Sequence, residues 1–165
     1  MVWFIADTHF GHRNIIKYEN RPFEDIDEMD NELIKRWNSV VGENDLVYHL
    51  GDVFLCGTDR QFKIFNQLNG NIHLIRGNHD SQTETKLIDR LGFKSVRNKY
   101  QHKNILMTHR PKENTKIFNV HGHTHSQREN DSKHFCVSVE QNNYKPVSLG
   151  KILDYQNAQY FNFYL

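Results

Sequence analysis

Short apolar runs recur along the chain, and most of them end abruptly in polar residues. Runs of four or five residues of this kind, bounded by glycine and polar segments, are typical of buried β-strands. Five of them lie at residues 2–6, 46–50, 72–75, 105–108 and 117–120. Residues 93–96 and 135–139 predict two further strands, and residues 161–165 predict an edge strand.

Between these runs, apolar residues recur at the spacing of an amphipathic helix. The predicted helices cover residues 25–41, 58–69, 83–91 and 148–154. Asp25 or Asp27 is suited to cap the first of them, and Gly92 to end the third. In the second helix, Phe62, Phe65 and Leu68 share one face, which we expect to point into the core. Strands alternate with helices in the first half and follow one another in the second, which predicts an α/β fold.

Composition narrows the class of protein. With 37% hydrophobic and 25% charged residues, the 165-residue chain matches one globular domain, which we expect to span residues 1–165. No apolar run approaches the roughly 18 to 20 residues of a membrane span. The net charge of +1 gives no global signal for nucleic-acid binding. Two cysteines without zinc spacing, and an N-terminus without a signal peptide, predict a cytoplasmic protein.

The polar residues that follow the five runs are of the types that bind metals. They are Asp7, His9, Asp52, Asn78, His79, Asp80, His109, His123 and His125. Ligands of open α/β sheets bind at the carboxyl ends of the strands, so these side chains are expected to converge. Nitrogen and oxygen donors without a thiolate suit manganese, iron, nickel or zinc better than magnesium or calcium.

The order of these motifs carries a resemblance to a known family. Asp-x-His, Gly-Asp, Gly-Asn-His-Asp, a strand-end His and Gly-His-x-His follow one another along the chain. The series resembles the calcineurin-like metallophosphoesterase superfamily. The segments Asn-Arg-Pro-Phe at 20–23 and Tyr-Lys-Pro-Val-Ser-Leu at 144–149 look like its small phage and bacterial members. The resemblance implies a two-sheet β-sandwich flanked by helices, in four α/β/β/α layers.

The resemblance also implies a role for each motif. The metal ligands would be Asp7, His9 and His125 on one divalent ion, Asn78, His109 and His123 on the other, and Asp52 bridging both. Manganese is the favoured metal, with iron, nickel or zinc as alternatives. A hydroxide that bridges the two ions would attack the phosphorus, and His79 would protonate the leaving group.

One position departs from the family pattern. Many members read Gly-Asp-x-x-Asp-Arg-Gly at the second motif, and the later aspartate pairs with the catalytic histidine. Leu55 occupies that position in this chain. His79 therefore lacks its usual partner, and Asp80 is the candidate to replace it.

Several other polar residues lie close to the motifs. His12, Arg21 and Arg110 are candidates to bind the substrate, because histidine and arginine can hold phosphate oxygens. The alternative is that they are solvated loop charges. His121 alternates away from the expected metals and His49 precedes the Gly-Asp motif, so both are predicted to support the site.

The predicted function is the hydrolysis of a phosphate ester. A small phosphodiester such as a 2′,3′-cyclic nucleotide is the favoured substrate, because few residues remain to form a cap or a DNA clamp. A phosphomonoesterase and a nuclease acting on DNA or RNA are the enzymatic alternatives. A non-catalytic scaffold with the same fold is a further alternative, which the presence of His79 and all seven expected ligands disfavours.

Overall fold

The structure, a computed structural model, describes residues 1–127 and 130–163. The strands are Val2–Ile5 (β1), Leu46–His49 (β2), Asn71–Ile75 (β3), Ser95–Arg97 (β4), Lys99–His102 (β5), Ile105–Thr108 (β6), Phe118–His121 (β7), His134–Cys136 (β8) and Val147–Ser148 (β9). The α-helices are Arg13–Tyr18 (α1), Ile26–Asn38 (α2), Thr58–Phe65 (α3) and Leu149–Phe163 (α4). A π-helix covers Lys86–Leu91 and a 3-10 helix covers Val139–Asn142.

The strands form two mixed sheets. The first has the order β4-β3-β2-β1-β9, in which β1 to β4 are parallel and β9 is antiparallel to β1. The second has the order β5-β6-β7-β8, in which β6, β7 and β8 are parallel and β5 is antiparallel to β6. The parallel pairs of the first sheet are joined through helices, as crossover connections require. The predicted class, an α/β fold with two sheets flanked by helices, is confirmed.

Two apolar clusters lie on opposite sides of the first sheet. Ile5 and Leu74 belong to the cluster that packs against Leu33 and Trp37 of α2. The neighbouring residues on the strands face the second sheet, where Ile152 of α4 joins the cluster. Strands that are buried on both faces read as continuous apolar runs, which is why the sequence revealed them. The polar residues that follow the runs lie beyond these clusters, at the carboxyl edge.

The helix boundaries agree with the sequence in part. The side chain of Asp25 caps α2 by accepting hydrogen bonds from the backbone N–H groups of Asp27 and Glu28, both at 2.9 Å. The third predicted helix is a π-helix that ends at Gly92, whose φ of 102° is left-handed. The prediction that Phe62 points inward is wrong, because its side chain is 50% exposed.

The predicted strand ends also differ in places. Residues 161–163 continue α4, so the predicted edge strand is wrong there, and residues 164–165 lie outside the described part. Strands β5 and β9 were missed: β5 is largely exposed and polar, and β9 has two residues. Among the described residues, no helix is both long and apolar enough to span a bilayer.

Substitutions in α3 test which of its faces is buried. We expect Phe62→Ala to change the free energy of unfolding by less than about 0.5 kcal/mol, because the ring is half exposed. Ile64→Ala removes a side chain that is 4% exposed and should cost about 2–5 kcal/mol. Denaturant unfolding measures both values, and equal losses would contradict the described packing.

Candidate metal centre

The loops that follow the strands bring the predicted metal ligands together. Two backbone hydrogen bonds join the loops after β1 and β2. The N–H of Asp7 donates to the carbonyl of Gly51, and the N–H of His9 donates to the carbonyl of Asp52, both at 3.0 Å. The loops after β6 and β7 are joined in the same way, by the N–H of Gly122 and the carbonyl of His109 at 2.9 Å. The two sheets meet where the backbone N–H of His123, after β7, donates to Oδ2 of Asp7, after β1, at 2.8 Å.

The cluster divides into two groups of three potential ligands. In each group, one nitrogen or oxygen atom per residue lies within 4.8 Å of the others. The groups are Asp7, His9 and His125, and Asp52, His109 and His123. Such groups of carboxylates and imidazoles are suited to a divalent cation.

Asp52 belongs to the second group and also faces the first. Its Oδ2 is 3.4 Å from Nε2 of His109 and 3.7 Å from Nε2 of His9, which belong to different groups. Its Oδ1 accepts a hydrogen bond from the backbone N–H of His79 at 2.9 Å. Although burial opposes it, the neighbouring His109 holds the pKa of Asp52 well below its usual range. One oxygen of this carboxylate is thus fixed, and the other faces both groups.

Asn78 joins the second group through its side-chain amide. Nε2 of His109 lies 3.1 Å from Oδ1 of Asn78 and 3.2 Å from Nδ1 of His123. The other ring nitrogen of His109, Nδ1, lies 2.8 Å from the carbonyl of Leu50, to which it is placed to donate. That contact fixes the tautomer and leaves the Nε2 lone pair directed at the cluster, as a metal ligand requires.

Buried polar atoms of the first group are left without a hydrogen-bond partner. They are Oδ1 of Asp7 and both ring nitrogens of His9. The second oxygen of Asp7 is held in place, accepting from Oγ of Ser138 at 2.6 Å and from the N–H of His123 at 2.8 Å. Buried lone pairs are costly unless something satisfies them, and a cation does so. The donor set present therefore fits a metal ion.

Burial and neighbouring charges shift the pKa values of the cluster. Burial raises the pKa of Asp7 to about 6 and lowers the pKa of His9 to about 2. Burial and the neighbouring His109 lower the pKa of His123 to about 4. Although burial opposes it, neighbouring carboxylates raise the pKa of His109 and of His125. Metals bind neutral imidazoles, so a bound cation would replace protons on these two rings and would stabilise the ionised carboxylates.

Five of the potential ligands have a left-handed backbone. The φ angles are 58° at Asp7, 49° at His9, 58° at Asp52, 69° at His123 and 46° at His125. Such a conformation costs about 1–3 kcal/mol at a non-glycine residue, and residues of this kind concentrate at functional sites. The sharp turns immediately after the strands therefore require strain, and this strain aims the side chains at one point.

His79 lies at the open side of the cluster. Its side chain is 43% exposed, and its ring meets the ring of His9 edge-on, with centroids 5.4 Å apart. Its Nε2 lies 4.0 Å from Oδ2 of Asp52, which is beyond hydrogen-bond distance. Leu55, at the position of the missing aspartate, is 40% exposed. His79 is therefore held through its backbone and is accessible to a substrate.

Asp80 has a different role from the one expected. Its Oδ2 accepts from the backbone N–H groups of Asp52 and Gly77, both at 2.8 Å, and its Oδ1 from that of Val53 at 3.1 Å. Its carboxylate therefore fixes the loop that carries Asp52. Because three backbone donors occupy the carboxylate oxygens of Asp80, this side chain does not orient the His79 ring, and that expectation is corrected.

The three candidates for substrate binding separate into two kinds. The ring of His12 lies 5.6 Å from that of His9, and Arg110 is exposed and close enough to His123 to lower the pKa of that imidazole. Arg21 is corrected: its side chain is completely buried and cannot reach a substrate. It donates to the carbonyls of Asp7 at 2.7 Å and Thr8 at 2.9 Å instead.

Sequence reasoning missed the partner of this arginine. Oε1 of Glu140 accepts from Nη2 of Arg21 at 2.6 Å and lies 3.0 Å from Nδ1 of His125. Glu140 lies in the 3-10 helix, and no motif marks it. The expected supporting role of His49 agrees with the structure, in which its buried Nε2 lies 3.0 Å from Oγ1 of Thr8.

The structure thus combines a two-sheet α/β fold with histidine and carboxylate groups at the sheet edge that could hold a metal ion. The family model described as calcineurin-like phosphoesterase matches residues 1–154. The chain belongs to this family, and it is accordingly a metal-dependent phosphoester hydrolase. The family binds divalent metals, and the two groups of potential ligands agree with that property.

Individual relatives are similar to the chain in sequence or in fold. The chain is 39% identical to an uncharacterized protein of Methanocaldococcus jannaschii, over 92% of this chain and 89% of the relative. It is 38% identical to the gene 66 protein of Mycobacterium phage L5, over 47% of this chain and 39% of that protein. The crystal structure of protein AQ665 of unknown function from Aquifex aeolicus superposes with a TM-score of 0.74, at 26% identity, over 93% of this chain and 98% of that one.

Gly77 provides a test of how tightly the centre is packed. A Cβ at this position would collide with the Asp52 carboxylate and lie 2.5 Å from the Asp52 backbone nitrogen. We expect Gly77→Ala to displace Asp52, to lower the free energy of unfolding by about 1–3 kcal/mol and to weaken binding of divalent metal. Denaturant unfolding and chelator competition measure the two effects.

Gly150→Ala is the matched control, because its Cβ would meet only Oγ of Ser148, at 3.8 Å. Within α4 this substitution should leave metal binding unchanged and raise stability by about 0.5–1 kcal/mol. Unchanged stability and metal affinity in Gly77→Ala would show that the loop around Asp52 is looser than described.

Proposed function

We propose that this protein is a phosphodiesterase that uses two divalent metal ions to hydrolyse small nucleotide-like phosphodiesters, including 2′,3′-cyclic nucleotides. The observation that carries the proposal is the position of Oδ2 of Asp52, which lies within 3.7 Å of histidine nitrogens from both ligand groups. A carboxylate oxygen shared in this way is what a pair of neighbouring ions requires.

The chain offers a complete set of ligands for two ions. One would be held by Asp7, His9 and His125, the other by Asn78, His109 and His123, with Asp52 shared between them. Manganese is the favoured ion for this mixed nitrogen and oxygen set, and iron, nickel and zinc are alternatives. When bound, such a pair supplies a hydroxide nucleophile near neutral pH and neutralises charge on the phosphoryl oxygens.

His79 is the general acid in this proposal. Its imidazolium can donate a proton to the ester oxygen that leaves, because the ring is exposed at the open side of the centre. Its backbone N–H donates to Oδ1 of Asp52 at 2.9 Å, which links the residue of the proton donor to the shared carboxylate. His12, whose ring lies 5.6 Å from that of His9, and the exposed Arg110 would hold the phosphate or the nucleotide through their N–H donors.

The net charge favours a small diester as the substrate. At +1 it provides no extended attraction for a polyanion such as DNA or RNA.

Substrate preference is tested with purified protein and manganese. We expect turnover of bis-p-nitrophenyl phosphate and of 2′,3′-cyclic nucleotides, with p-nitrophenyl phosphate hydrolysed more slowly. A clear preference for the monoester would make the protein a phosphomonoesterase, and salt-dependent cleavage of oligonucleotides in preference to small diesters would make it a nuclease. Either result would contradict the proposal.

The role of His79 is tested by changing the leaving group. With a cyclic nucleotide, whose leaving alkoxide needs a proton, His79→Ala should reduce kcat by about 10²–10⁴-fold. The reduction should be much smaller with bis-p-nitrophenyl phosphate, because p-nitrophenolate leaves without protonation. Metal content, measured by elemental analysis, should remain unchanged. Loss of metal in the variant, or equal reductions with both substrates, would assign His79 another role.

A further inference from the structure

One side-chain oxygen of Glu140 contacts both Arg21 and the potential metal ligand His125. Its Oε1 accepts from Nη2 and Nε of Arg21, at 2.6 and 3.0 Å, and lies 3.0 Å from Nδ1 of His125. The side chains of Arg21 and Glu140 are 0% and 4% exposed. This buried ion pair lies directly behind one of the two groups of potential metal ligands.

Arg21 extends the contact to the backbone of the same group. Its guanidinium donates to the carbonyls of Asp7 at 2.7 Å and of Thr8 at 2.9 Å. These two carbonyls lie between the left-handed residues Asp7 and His9, whose φ angles are 58° and 49°. The guanidinium therefore holds the strained turn that aims both of these side chains.

The segment around Glu140 has further contacts with this group. Oγ of Ser138 donates to Oδ2 of Asp7 at 2.6 Å, which leaves Oδ1 of Asp7 free. The side-chain amide of Gln141 donates to the carbonyl of His125. Corresponding contacts at the second group come from other elements, such as the carbonyl of Leu50 on His109.

We propose that the Arg21–Glu140 ion pair is a positioning unit for the metal position formed by Asp7, His9 and His125, and that it does not act on the other position. The proposal rests on the two-metal function proposed above. Glu140 accepts the Nδ1 proton of His125 and so keeps the Nε2 lone pair available to a metal. Arg21 balances the Glu140 charge and fixes the turn from Asp7 to His9.

A cation bound at Glu140 itself is the competing explanation. Glu19, His125 and Glu140 also offer ligand atoms within 4.8 Å of one another, and Oε2 of Glu140 is buried without a partner. The guanidinium of Arg21, 2.6 Å from Oε1, already neutralises this carboxylate. A second positive charge at the same carboxylate would be repelled by the arginine.

The test uses two parent variants that each weaken one metal position. Asn78→Ala removes a ligand of the second position, and His9→Ala removes a ligand of the first. Glu140→Gln is then added to each parent, since an amide oxygen can still accept hydrogen bonds while the charge is lost. The affinity of the metal-free protein for Mn²⁺ is measured by competition with a chromophoric chelator.

Glu140→Gln should weaken Mn²⁺ binding by about 10–100-fold in the Asn78→Ala parent and by less than about threefold in the His9→Ala parent. Equal effects in the two parents, or no effect in either, would overturn the proposal. Loss of a third ion, found by elemental analysis, would favour the cation site at Glu140 and would also overturn it. If neither parent binds Mn²⁺, the two-metal function itself fails.

Two further variants separate positioning from loss of stability. Arg21→Met combined with Glu140→Gln leaves no unpaired buried charge and should still weaken the first position selectively. Recovery of the parent affinity in this double variant would show that only the unpaired charge mattered, and it would overturn the proposal.

Arg60→Met is a control for stability. It breaks another arginine–carboxylate pair, in which Nη2 of Arg60 lies 2.6 Å from Asp30. We expect Arg60→Met to lower the melting temperature without weakening Mn²⁺ binding at one metal position more than at the other.

Discussion

Two buried carboxylates set the central constraint on this structure. Asp7 and Asp52 each have one oxygen held by hydrogen bonds from fixed donors, while the other faces histidine nitrogens. Burial raises the pKa of Asp7 to about 6, so its ionised form is disfavoured unless positive charge lies nearby. A bound divalent cation would supply that charge and would also satisfy one of the unpartnered ring nitrogens of His9. The two buried carboxylates are therefore unfavourable when no cation is bound nearby, and with bound cations they are suited to phosphoryl transfer.

The rest of the fold holds these carboxylates in a strained conformation. The parallel strands deliver both loops to one edge, where Asp7 and Asp52 each turn with a φ of 58°. Asp80 fixes the Asp52 loop through three backbone N–H groups, and Arg21 fixes the Asp7 loop through two carbonyls. Gly77 permits the closest approach, because any side chain there would collide with Asp52. Each loop therefore has its own charged support, so the strain does not relax by moving the ligands apart.

The sequence predicted the strands and the polar residues at their ends, because an apolar run and its following ligand are adjacent in the chain. It could not predict supports whose two members are far apart. Arg21 was interpreted as a surface cation, since nothing nearby shows that Glu140, 119 residues away, pairs with it inside the protein. Asp80 was assigned to its neighbour His79, whereas its donors lie in the loop of Asp52. Phe65 and Leu68 pack against the core as predicted, whereas Phe62 is exposed because α3 buries Gln61 and Ile64.

The most direct test of a shared two-metal centre is anomalous diffraction from crystals of the manganese-loaded protein. The account predicts two ions about 3.5–4 Å apart, both in contact with Asp52, with the His79 ring left free of metal. The loops that carry the ligands should keep the left-handed conformations described above. A single ion, or an ion bound at Glu19 and Glu140 away from Asp52, would contradict it.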